Sequence, residues 1–109
     1  MSGRYDEYVR KVRDMLVDAP AELPSTVRRA IVERDTSAIP AQLKPYVLKV
    51  ALHAYKVEDD DITGLKRDGV SEDTIFEATA CAAVGAALLR LDKGMAALKG
   101  VAGAAPPKR

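Results

Sequence analysis

The sequence predicts an all-α protein of five to six helices, ending in a long alanine-rich C-terminal helix. Three observations predict it. Apolar residues return at intervals of three and four along most of the chain, the spacing that lines one face of a helix. Alternation of apolar and polar residues never persists, and β-branched residues are scattered, so nothing reads as a strand. Residues 69–98, GVSEDTIFEATACAAVGAALLRLDKGMAAL, open on a glycine and a serine backed by two acids, then run on rich in alanine with no proline. That order is a helix stop, a helix start and a helix buried on most sides.

Each element follows from local chemistry. Over residues 4–18, Tyr5, Tyr8, Val9, Val12, Met15 and Leu16 form one apolar stripe opposite arginines and acids, and Pro20 closes the helix. A short second helix is predicted from about Pro24 to Arg34. Proline suits its first turn, and Val27, Ala30 and Ile31 supply the inner face. DTSAIP is a connection. A third helix starts between Pro40 and Pro45 and runs to about Val57, with Tyr46, Val47, Val50, Ala51 and Ala54 inward. Asp59 or Asp60 is expected to cap a fourth helix, with the other carboxylates of the acidic cluster near its positive end. Gly69 suits the left-handed residue that ends it. Ser71 is the expected N-cap of the fifth helix. Gly85, in the middle of that helix, costs roughly 1 kcal/mol against alanine, so a tight helix crossing is expected there.

The 109 residues suit one domain, taken as 1–100, with 101–109 as a flexible tail. No internal repeat or interdomain linker is visible. Much of the apolar content is alanine, there is no tryptophan and only one phenylalanine. A monomer would therefore have a thin core, and a homo-oligomer is expected. A net charge of +1 with dispersed basic residues argues against nucleic acid, which needs a concentrated basic face. The polar N-terminus has no secretory h-region, and the uncharged run from Ala78 to Leu89 is too short for a membrane span. The expectation is a cytoplasmic protein with neither a nucleic-acid nor a membrane partner. The single cysteine, Cys81, excludes an intrachain disulfide.

The segment from about Gln42 to Leu98 resembles the carboxymuconolactone decarboxylase-like family, which includes alkyl hydroperoxidase D. The resemblance rests on the junction Gly69-Val70-Ser71-Glu72-Asp73-Thr74-Ile75-Phe76-Glu77, which fits the pattern G-[VL]-S-x-x-x-I-x-E before an alanine-rich helix. It covers roughly half the chain and implies an alkyl hydroperoxidase D-like helical fold and assembly into trimers, hexamers or similar rings. In the peroxidase branch the junction is preceded by Glu, eleven residues, Cys-x-x-Cys, three residues and His. Here Gln42 stands at the Glu position, Ala54 and Val57 at the cysteines and Asp61 at the histidine. Thiol peroxidase chemistry needs a thiolate and a resolving thiol, so that activity is not expected. The decarboxylase branch also keeps a histidine where Asp61 stands.

Several residues have both a functional and a structural reading. His53, the only histidine, is a proton-transfer candidate near neutral pH, with Tyr55 or an acid of the 58–61 cluster beside it. Otherwise it is a helix residue satisfied by a carbonyl or carboxylate. Glu58, Asp59, Asp60 and Asp61 offer hard oxygen ligands but lack the spacing of a calcium loop, and capping explains the run more simply; no metal and no cofactor are expected. Asp61 stands apart, because it occupies a family catalytic position. Cys81 sits among alanines and reads as a small buried residue. The tyrosines read as core-edge residues. Two functions follow. The first is a non-catalytic helical oligomer that binds a protein partner or small molecule. The second is an enzyme acting on a small organic acid through His53, Asp61 and Gln42, with Lys49, one turn before His53, holding a carboxylate.

Overall fold

In the computed structural model, the backbone is described from Arg4 to Ala102 and the side chains from residue 6 to residue 100. Five α-helices follow in order: α1 (Arg4–Asp18), α2 (Ser25–Glu33), α3 (Lys44–His53), α4 (Asp59–Arg67) and α5 (Glu72–Ala102), with a 3₁₀ turn (Ala54–Lys56) between α3 and α4. No strand occurs among the described residues. Of the expected tail 101–109, residues 101–102 continue α5 and 103–109 lie outside the described residues, and α5 runs through Gly94 and Gly100 without a break.

The termini show why the helices stop where they do. The Pro24 carbonyl accepts from the N–H groups of Val27 and Arg28, both at 3.0 Å, so Pro24 is the N-cap of α2 rather than part of its first turn. Arg34 takes a left-handed conformation at φ 55° and closes α2. The sequence expectation carries α3 to Val57. Instead the backbone leaves the helix at His53 (φ −145°, ψ 54°), and Val57 is extended. Ala54, expected inward, is therefore exposed. The extended backbone at Val57 leads directly into the cap of α4. Glu58, not Asp59 or Asp60, is the N-cap of α4. The Asp61 carboxylate reaches back to the Glu58 N–H at 2.8 Å, one arm of a capping box, and that arrangement needs an extended entry. Gly69, at φ +90°, donates to the Lys66 carbonyl while Val70 donates to Leu65, the expected glycine stop. Ser71 then caps α5, its Oγ accepting from the Thr74 N–H at 3.1 Å.

The core forms around the inner turns of α5. Ile75, Ala78, Cys81 and Ala82 meet Ile31 and Val32 from α2 and Tyr46, Val47 and Val50 from α3. The expected tight crossing is present. A Cβ at Gly85 would lie 2.4 Å from the Val32 carbonyl oxygen, so α2 rests its backbone on this glycine. Tyr46 is buried, its hydroxyl 2.7 Å from the Thr79 hydroxyl, which in turn donates to the Ile75 carbonyl.

The outer half of the α1 stripe does not face this core. Val9 and Leu16 are half-buried and Val17, which the stripe omitted, is fully buried, whereas Tyr8, Val12 and Met15 are exposed. Phe76 on α5 is 72% exposed. The side chain of Tyr5 lies outside the described residues. In contrast to the length argument made from Ala78–Leu89 alone, the helical stretch Glu72–Gly100 is long and apolar enough to cross a membrane by length and composition; 33% of its apolar window is buried inside the bundle.

Candidate functional site

Two concavities carry chemistry worth weighing. The first is a polar depression of about 280 Å³ between α3 and α4, lined by Gln42, Tyr46, Lys49, Asp60 and Asp61 among others. It brings together three of the residues expected to form a site. Their polar groups, however, are already engaged. The Lys49 Nζ lies 2.8 Å from Asp61 Oδ1, and Asp61 Oδ2 accepts from the Glu58 N–H. The hydrogen bond from Lys49, followed by the bond from the Glu58 backbone, holds the Asp61 carboxyl below its usual range. Gln42 Nε2 donates to the Asp68 carbonyl at 3.3 Å.

His53 and Tyr55 are not part of this lining. Both are exposed, and their rings meet edge to face at 6.1 Å, with the Lys56 ammonium over the tyrosine at 5.8 Å. The proposed alliance of His53 with Asp61 is thus not formed, because α3 ends at His53 and the 3₁₀ turn carries the next residues outward. Among the described residues no group of three His, Cys, Asp or Glu side chains is placed to hold a metal ion.

The second concavity is an apolar groove of about 390 Å³ between α1 and α5. Val12 and Met15 form one wall, and Phe76, Ala80 and Val84 the other. Its base contains two charged residues that sequence reasoning did not place in a site. Arg28, 5% exposed, donates from Nε to the Leu23 carbonyl at 3.0 Å and from Nη1 to the Leu16 carbonyl at 2.8 Å. Glu77 accepts from the N–H groups of Leu23 at 2.8 Å and Glu22 at 3.0 Å. The two side chains therefore tie down the Ala19–Pro24 connection, which has few hydrogen bonds of its own. A signal existed for Arg28, a charge set on the α2 face that carries Ile31 and Val32; Glu77, one turn after Asp73 and Thr74, gave none. Cys81, beneath them, is fully buried. Burial pushes its thiol up to about 11, with Arg28 pulling down and Glu77 adding to the rise. At neutral pH it is a protonated core residue rather than a nucleophile.

Fold and site together define a small all-α protein with an open apolar groove and an ion-paired polar depression. The chain matches no family model, no curated protein and no solved structure.

Proposed function

We propose that this chain is a non-catalytic helical oligomer that works by binding, on a frame of the carboxymuconolactone decarboxylase-like kind whose reactive positions have been replaced. The observation that carries this reading is the α1/α5 groove. Its walls are apolar and open, and the polar groups at its base are already bonded to backbone. Such a surface favours an apolar partner and offers no group for proton or acyl transfer. At the positions of the reactive cysteines stand Ala54 and Val57, which supply no chemistry.

One observation favours an enzyme instead: Gln42, Lys49 and Asp61 do surround one polar depression. On that second reading the chain acts on a small organic acid, with Lys49 holding its carboxylate and His53 and Asp61 moving protons, which requires the outward turn at residues 53–56 to fold back over the depression.

Asp61→Asn and His53→Ala separate the two. In the binding reading Asp61 only starts α4 and pairs with Lys49. Asp61→Asn then lowers the melting temperature by a few degrees at pH 7 and leaves the native mass unchanged. Because folding lowers the Asp61 pKa, its stabilisation is present above the unfolded value near 4 and is lost as pH falls through the folded one. The difference between wild type and Asp61→Asn should shrink below about pH 4 for the same reason. Turnover of a panel of small organic acids that both substitutions abolish would overturn the binding reading.

A further inference from the structure

The α1/α5 groove holds a buried charge that has no counter-ion. Arg28 is 5% exposed and forms no ion pair among the described residues. A guanidinium carries five N–H donors. Arg28 uses one on Nε for the Leu23 carbonyl and one on Nη1 for the Leu16 carbonyl. Its Nη2 donates to none of the described residues. Among those residues, no side-chain nitrogen or oxygen that is sealed from solvent lacks a partner. Nη2 therefore keeps an opening, and the concavity that Arg28 lines is the groove.

A cation this deeply buried is ordinarily met by an anion, because an unpaired charge in an apolar site is costly. Glu77, the other charge on the lining, does not serve. Its Oε1 accepts from the Leu23 N–H and its Oε2 from the Glu22 N–H. Glu77 also limits what the groove can take. One carboxylate can reach Nη2, whereas a second negative charge would stand beside Glu77 or against the apolar walls. Those walls call for a tail. Val12 is 44%, Met15 68% and Phe76 72% exposed, and an alkyl chain lying between them would cover all three. The volume agrees: about 390 Å³ falls within the range of small-molecule sites, which are mostly apolar with a few placed polar groups.

We propose that the groove binds an aliphatic monocarboxylate of medium chain length. The carboxylate accepts from Arg28 Nη2, and the tail lies between Val12 and Met15 on α1 and Phe76 and Val84 on α5. This names a ligand class for the binding reading above and rests on that reading.

Calorimetric titration of the full chain with sodium octanoate, 1-octanol and sodium octanedioate tests the proposal. Octanoate should bind at one site per chain. Octanol has the same tail without the charge and should bind roughly tenfold more weakly or worse, the scale of a lost hydrogen bond to a charged group. Octanedioate should also bind more weakly than octanoate. From hexanoate to decanoate the affinity should rise about threefold per methylene. Ala80→Trp fills the groove from a half-buried wall position and should abolish octanoate binding. The octanoate–octanol contrast is read on the unaltered chain, so it stands whether or not that variant folds. Octanol binding as tightly as octanoate, with both blocked by Ala80→Trp, overturns the carboxylate site and leaves the binding reading in place with an uncharged ligand. No binding of any probe also overturns it, and leaves the binding reading only a protein partner. Octanoate binding that persists in folded Ala80→Trp lies outside the groove and overturns the proposal as well.

Discussion

Gly85→Ala should cost about 2–4 kcal/mol of unfolding free energy, at the upper end of overpacking changes, and lower the melting temperature by about 10–25 °C. The methyl group would stand 2.4 Å from the Val32 carbonyl oxygen and 2.9 Å from the Val32 Cα. Both are backbone atoms in the last turn of α2, so relief requires that end of the helix to move off α5. Alanine gains roughly 1 kcal/mol in helix propensity over glycine, which the clash exceeds. Gly64→Ala is the matched control. A Cβ there meets nothing within 4 Å, so the propensity gain should appear as a small stabilisation. Urea unfolding of both variants reads the contrast. Equal midpoints for the two would mean that α2 does not cross α5 at this glycine.

Arg28→Ala should cost about 3 kcal/mol. Its guanidinium bonds two carbonyls on opposite sides of the α1–α2 connection, those of Leu16 and Leu23. Each carbonyl left without a partner away from water costs about 1–3 kcal/mol, and the lost stem opens a void at the base of the groove. Arg28→Lys should recover little, because one ammonium cannot reproduce a planar fork aimed in two directions. A full rescue by lysine, measured by the same unfolding experiment, would show that charge rather than geometry holds the loop.

Much of the fold was legible because it depends on local chemistry. Gly69 before Ser71 places a stop and a start within three residues, and α4 and α5 obey it. Gly85 stands where a good helix former would otherwise be, and its reason proved to be the carbonyl of Val32. What remained hidden is non-local. Periodicity finds the apolar stripe of α1 but not how far round it the core reaches, so Met15 read as inward and Val17 was passed over. The extended entry to α4 is held by the side chain of Asp61 bonding the Glu58 backbone, and a run of four acids does not say which one will do so. The expected site was legible in part. Gln42, Lys49 and Asp61 converge, but His53 and Tyr55 lie on the outward turn. Glu77 takes its meaning from a loop 54 and 55 residues away in sequence, which no spacing rule reaches.

The oligomer proposed above predicts that the exposed distal apolar residues of α5, Leu91 and Leu98 among them, become covered in the assembly. Amide hydrogen exchange along α5, followed over a range of protein concentration, tests it most directly. Residues 78–86, packed under α2 and α3, should be protected at every concentration. Residues 91–98 should exchange quickly when dilute, since a helix tip without tertiary support frays, and become protected as the concentration rises. Rapid exchange of 91–98 at all concentrations would contradict the account.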